Sequence, residues 1–237
     1  METLVKMEGV TKVFPGVRAL DNISFEIKAG EVHVLMGENG AGKSTVMKIL
    51  YGLYKADEGQ IFMDGKEQKI GSPKDAMALG ISMIQQHFSL VNAHTVTENI
   101  ILGNVRGVID YDRCKKEVEE LAGQYGFDIP VDAKIADLAV GVQQKVEILK
   151  LLYTGADVLI FDEPTAGQDL DGLERLSRLI RELTARGKAL ITITHDMEFV
   201  AENFERLIIM CNKKIVADGR TDEVFYYKDI MEEAKLK

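Results

Sequence analysis

The chain has 237 residues, enough for one large domain or two small ones, and its 46% hydrophobic and 28% charged content is ordinary for a soluble globular protein. A formal net charge of −9 argues against a broad nucleic-acid surface, which is normally basic. It leaves room for a bound triphosphate, because local donors decide such binding when charges are screened over about 8 Å. No apolar run approaches the ~20 residues a spanning helix needs, and Met1–Lys6 carries no signal-peptide core, so any membrane link is expected to run through a partner protein. Cys114 and Cys211 read as free thiols. His33, His87, His94 and His195 lack metal-ligand spacing.

In chain order, residues 3–10 and 23–28 read as strands. Between them Phe14 precedes Pro15-Gly16, a turn pair that places the ring at a loop edge, either to stack on a purine or simply to pack. Val32–Met36 reads as a short buried strand, Gly37–Lys43 as a glycine-rich turn, and Val46–Leu50 as the start of a helix. Strand, Gly-x-x-x-x-Gly-Lys-Ser and helix together form a phosphate-binding loop in its required context. Gly37, Gly40 and Gly42 let the backbone turn tightly and approach a ligand without Cβ clashes. The N–H groups of residues 40–45 are expected to point inward as an anion nest at a helix N-terminus. Lys43 supplies a charge for the β- and γ-phosphates, and the Ser44 hydroxyl can ligate Mg²⁺.

Residues 59–63 and Gly65 read as a hairpin strand and its turn. Ser72-Pro73-Lys74-Asp75 is a helix start, with a serine cap, proline at the first helical position and an acid two residues on. Residues 81–84 form a strand running into Gln85-Gln86-His87, where a glutamine either orients water and Mg²⁺ or lines a polar loop. Residues 92–154 change character: Thr95…Glu98 is a capping box, and helices are predicted over 110–125 and 142–153 with no strand pattern between. This stretch reads as a helical insert.

From residue 157 the α/β pattern returns. Val158–Phe161 is an apolar run fit for a parallel strand buried on both faces, closed by Asp162 and Glu163 at the end where open α/β sheets place ligands. Asp162 is a candidate Mg²⁺ ligand and Glu163 a candidate to polarise an attacking water; a helix-capping role is the alternative for one of them. A helix over 170–186 leads to a strand over 189–194. His195 then stands where it can hydrogen-bond a γ-phosphate or serve as an ordinary loop histidine. Residues 206–211 and 214–217 read as a hairpin over Asn212-Lys213, and 221–237 as a charged helical tail docked on the domain.

Taken together, these motifs resemble the ATP-binding subunit of an ABC transporter over essentially the full length. Gly37–Thr45 matches the family's P-loop, Phe14 its adenine-stacking aromatic, Gln86 its Q-loop glutamine (Gln85 is the other register), Asp162 and Glu163 its Walker B acids, Asp169 its D-loop aspartate and His195 its switch histidine. The resemblance implies an α/β fold: a P-loop NTPase core with a mostly parallel sheet, an N-terminal antiparallel β subdomain and an inserted α-helical subdomain. Residues 1–91 and 155–237 would form the core and 92–154 the helical part of a single domain. It implies ATP and Mg²⁺ as cofactors. Phe14, Gly37, Asn39, Gly40, Ala41, Gly42, Lys43, Ser44 and Thr45 would bind nucleotide, with Ala139 and Gly141. Ser44, Gln86 and Asp162 would hold the metal, and Glu163, His195 and Gln86 would act in catalysis. Implied partners are membrane-spanning transporter subunits and a second ATP-binding subunit, on the cytoplasmic face of the cell membrane, with no nucleic acid.

One motif departs. Where the family has Leu-Ser-Gly-Gly-Gln, this chain has Leu138-Ala139-Val140-Gly141-Val142. A methyl replaces the hydroxyl expected at the γ-phosphate, a loss of roughly 1.5–3 kcal/mol for one charge-assisted hydrogen bond. Residues 80–103 and 138–151 resemble simple-sugar or nucleoside importers, whereas 162–169 and 194–198 resemble energy-coupling uptake systems. The rival readings are a soluble ABC ATPase in repair or translation, a regulatory subunit with impaired hydrolysis, and a P-loop kinase.

Overall fold

The computed structural model describes residues 2–84, 89–105, 107–165 and 170–236. Its first feature is a hairpin of β1 (Thr3–Phe14) and β2 (Val17–Lys28), longer than the strands expected at 3–10 and 23–28. Phe14 pairs with Val17 across Pro15-Gly16. Residues 11–22 look loop-like because Lys12, Arg18, Asp21 and Asn22 interrupt the apolar pattern. They stay paired because Thr11 and Leu20 still turn inward and because Asp57 accepts the Val13 N–H at 2.6 Å and the Lys12 ammonium at 2.9 Å.

β3 (Val32–Gly37) leads into α1 (Lys43–Leu50). β4 (Glu58–Met63) and β5 (Lys66–Gln68) form the expected hairpin, and α2 (Pro73–Ala78) starts at Ser72, whose hydroxyl accepts the Asp75 N–H. β6 (Ile81–Ile84) follows. Next come α3 (Val96–Ile101), α4 (Tyr111–Gln124), a 3-10 turn (Ile135–Asp137) and α5 (Val140–Tyr153). The remainder alternates β7 (Val158–Asp162), α6 (Leu170–Ala185), β8 (Ala189–Ile193), α7 (Met197–Asn203), β9 (Arg206–Cys211) and β10 (Lys214–Arg220). The single tail helix expected over 221–237 is instead two short ones, α8 (Thr221–Val224) and α9 (Lys228–Glu233), separated by a turn at Phe225–Tyr226.

The chain divides into two units, residues 1–83 with 157–237, and residues 84–156. In the first, an antiparallel sheet ordered β2-β1-β4-β5 and a six-stranded sheet ordered β10-β9-β3-β8-β7-β6 share one apolar core. Val5, Ile23 and Ile27 come from one sheet, Leu35, Ile160 and Ile191 from the other, and Val46, Met47 and Leu50 from α1. β3 pairs in parallel with both β8 and β9, and β7 with β8, which is why these strands are apolar on both faces. His33 in β3 is fully buried; its Nε2 accepts the Lys28 N–H at 3.2 Å. Burial first, then Arg206 and Lys28, push its pKa down to about 3, so it is neutral.

The second unit is helical, and Val96, Ile100, Val118, Ile135, Val146 and Leu149 meet in its core. Its entry is fixed by a complete capping box: Thr95 Oγ1 accepts the Glu98 N–H at 3.2 Å, and Glu98 Oε2 accepts the Thr95 N–H at 2.7 Å. Thr95→Ala removes half of that exchange and is expected to destabilise this unit by about 1 kcal/mol, read as faster amide exchange at residues 96–99.

Candidate functional site

The carboxyl ends of β3, β7 and β8, adjacent in one sheet, deliver the candidate residues. β3 ends on Gly37, where a Cβ would lie 2.0 Å from the Met210 carbonyl oxygen of β9, so only glycine permits that approach. The loop then turns through exposed Asn39 and Gly40 and buried Ala41 to Gly42, the cap residue of α1 at φ 108. A Cβ at Gly42 would meet Leu20 Cδ2 at 2.6 Å and the Ala19 carbonyl oxygen at 2.7 Å. Both glycines are therefore demanded by neighbouring chain as well as by the turn.

Helix geometry leaves the first-turn amides of Lys43, Ser44 and Thr45 without intrahelical acceptors, the arrangement that suits an anion. The nest is smaller than expected, because the Ala41 amide donates to the Glu38 carbonyl at 3.1 Å inside the loop. Lys43, only 6% exposed, donates to the carbonyls of Gly37 at 2.8 Å and Glu38 at 3.0 Å. Burial lowers its pKa, against the raising pull of Glu163, Asp162 and Glu38.

Across from the loop, Ser44 Oγ lies 3.5 Å from Asp162 Oδ1. Burial raises the Asp162 pKa, opposed by Lys48, Ser44 and Lys43. A hydroxyl and a half-buried carboxylate this close are hard oxygen donors of the kind Mg²⁺ takes alongside phosphates, so the residues fit that ion. Among the described residues no cluster of three or more His, Cys, Asp or Glu forms a metal cage.

Glu163 has φ 54, a left-handed conformation rare for a side chain of its size and one that marks strain worth a functional explanation. Its amide is tied to the Ile193 carbonyl at 3.0 Å, and its Oε1 lies 3.0 Å from His195 Nε2. Burial raises the Glu163 pKa, with Lys43 lowering and Asp162 raising it further. Burial and Lys43 lower that of His195, which favours a neutral imidazole donating its Nε2–H to the carboxylate.

Sequence reasoning missed the frame around His195. Thr194 is fully buried; its Oγ1 lies 2.8 Å from Thr165 Oγ1 and accepts the Asp196 N–H at 3.1 Å. The available signal was two threonines, Thr192 and Thr194, in an otherwise apolar buried strand.

Phe14 sits at the tip of the first hairpin. Its ring is half-buried, not bare at a loop edge: it meets Tyr54 edge-on at 5.2 Å, with Lys12 Nζ 5.4 Å from its centroid. Tyr54 was likewise missed. In the helical unit α5 begins at Val140, two residues before the helix expected at 142. Ala139 therefore becomes its cap residue, with no side-chain capping bond, and Gly141 falls in the first turn. Gln86, its alternative Gln85, and Asp169 lie outside the described residues.

Comparison with known proteins bears on this arrangement. A family model described as ABC transporter matches residues 20–166. The nucleoside import ATP-binding protein NupA of Lactococcus lactis subsp. cremoris is 46% identical over 218 residues, 91% of this chain but 43% of that protein, so the chain spans under half the length of its relative. The alignment runs through both the simple-sugar-like and the energy-coupling-like stretches. Among solved structures, the ADP conformation of an ATP-binding cassette of an ABC transporter superposes with a TM-score of 0.88 at 25% identity, covering 100% of both chains. A dimeric bacterial ABC transporter cassette gives 0.78 at 26% identity, covering 92% of this chain and 99% of that one. The chain belongs to the ABC transporter family and folds as one of its ATP-binding cassettes.

Proposed function

We propose that this chain binds and hydrolyses ATP to power a membrane transporter, and that the transporter is an importer. The observation that carries the reading is the meeting of phosphate-loop residues Lys43 and Ser44 with Asp162, Glu163 and His195 at one edge of one sheet. The first-turn amides and Lys43 hold the phosphates, with Gly37, Asn39, Gly40, Ala41, Gly42 and Thr45 shaping the loop. Phe14 faces the adenine. Ser44 and Asp162, with Gln86, hold Mg²⁺, which when bound neutralises charge on the β- and γ-phosphate oxygens. Glu163 accepts the proton of the attacking water, and His195, with a single N–H, orients the carboxylate before nucleotide binds and turns that donor toward the γ-phosphate when nucleotide is bound.

Residues 1–91 and 155–237 serve as the ATP-binding core and 92–154 as the helical subdomain that passes motion to membrane-spanning subunits. The dimeric cassette among its structural neighbours supports a second ATP-binding subunit, whose nucleotide the 138–142 stretch would close. With Ala139 in place of a hydroxyl, that closure falls to the backbone amides opening α5. The import name of the 46%-identical relative favours transport over repair or translation. Among the described residues no helix is long and apolar enough to cross a membrane, which accords with peripheral attachment on the cytoplasmic face.

Titration of the chain with ATP, with and without Mg²⁺, tests the reading; absence of any Mg-dependent binding overturns it. Asp162→Ala is expected to weaken Mg-ATP binding and flatten its Mg²⁺ dependence, while metal-free binding changes little. Glu163→Gln is expected to keep ATP affinity and lower turnover by about 10²–10⁴; equal turnover in variant and parent removes Glu163 from this role. Because burial raises the Glu163 pKa, a growing share of the base is already protonated above its ordinary 4.5 as pH falls. The acid limb of kcat/KM should therefore lie above pH 4.5, and the residual activity of Glu163→Gln should lack it.

A further inference from the structure

Besides Lys43, a pair of lysines grips the phosphate loop. Asn212 and Lys213 form the two-residue turn between β9 and β10, with φ 47 and φ 68. Such turns take glycine readily at the second position, and a long side chain there occupies a backbone region it seldom adopts. The strained residue has a specific contact: Lys213 Nζ donates to the Gly40 carbonyl of the loop. Its own carbonyl accepts the Asp21 N–H at 3.0 Å, fixing the turn against β2. Lys235, just past α9, reaches Glu38 Oε2 at 2.6 Å, and this ammonium is the largest cause of the lowered Glu38 pKa. The segment carrying Lys235 is anchored in turn, since Cys211 Sγ at the end of β9 donates to the Glu233 carbonyl at 3.4 Å.

The loop is thus pinned twice. Lys43 holds the Gly37 and Glu38 carbonyls from within, and Lys213 and Lys235 hold Gly40 and Glu38 from without. When the Lys43 ammonium turns toward a phosphate, the inner lysine pins are released, and the outer ones remain, with the Ala41–Glu38 backbone bond, to fix the loop's shape. We propose that Lys213 and Lys235 are positioning residues that keep the phosphate loop pre-organised and so set nucleotide affinity. A site already in its binding shape loses less freedom on association. The proposal rests on the nucleotide-binding reading of the loop and gives the strained Asn212-Lys213 turn and the 228–235 segment a role in it.

The test measures Mg-ATP and Mg-ADP affinity by titration, alongside melting temperature without nucleotide, for the parent, Lys213→Gly, Lys213→Arg and Lys235→Ala. Lys213→Gly relieves the turn, so its melting temperature should equal or exceed the parent's while its nucleotide affinity falls by about two- to fivefold, the scale of an exposed charged contact. Lys213→Arg should keep the parent's affinity. Lys235→Ala should weaken binding in the same direction, with the deficit shrinking at high salt. KM should rise with kcat unchanged in both weakened variants. Parent-like affinity in both Lys213→Gly and Lys235→Ala overturns the proposal and leaves nucleotide binding standing. A fall in affinity accompanied by a lower melting temperature in Lys213→Gly also overturns it, since the turn would then be merely structural. A parent that binds no nucleotide sinks the nucleotide reading itself, and this proposal with it.

Discussion

The missing side chain at Gly37 is the constraint on which the site depends. With its Cβ position 2.0 Å from the Met210 carbonyl, β3 can end only by passing directly against β9, and the loop must leave the sheet at that point. Everything downstream follows from that exit. Gly42 wedges against β2, α1 starts with its amides facing the strand ends, and Lys43 folds back onto the loop it has just left. The core beneath, joining Val46, Met47 and Leu50 to both sheets, holds α1 in this direction.

The acid wall opposite is held just as firmly, through backbone as much as through side chains. The Glu163 amide belongs to the end of β8 although its side chain follows β7, and the hydroxyls of buried Thr194 and half-buried Thr165 link the two strand exits. A carboxylate in a strained conformation, with a histidine 3.0 Å away, is the arrangement expected when orientation matters more than local stability. The same logic reappears at Lys213, where strain in a turn accompanies a contact to the loop.

Much of this was legible in the residues, and the limits have physical causes. The Thr95–Glu98 capping box, the Ser72 cap and the strand closing on Asp162 are local signals, complete within a few residues, and the structure reproduces their geometry. The glycine-rich loop also lies between a strand and a helix as read, but with the Ala41 amide turned onto the Glu38 carbonyl instead of into the nest. What escaped is non-local. The extent of the first hairpin depends on Asp57, far along the chain, supplying bonds to Lys12 and Val13. The edge-on partner of Phe14 is Tyr54, beyond α1. The start of α5 at Val140 was obscured because neither Ala139 nor Val140 is a customary helix opener. The turn at Asn212-Lys213 was read from the sequence, but the reach of Lys213 to Gly40 was not, because it exists only once β9 and β3 lie side by side.

The neutral imidazole of His33 has a consequence remote from nucleotide chemistry. A histidine protonating at about 3 in the fold against 6.5 in the free chain takes up its proton preferentially after unfolding. Above 6.5 the two states bind equally few protons there. As acidity increases from that point toward 3, the opened chain is progressively favoured. A central strand of the six-stranded sheet thus carries a built-in acid lability, and mildly acidic storage should lower the stability of the fold as a whole.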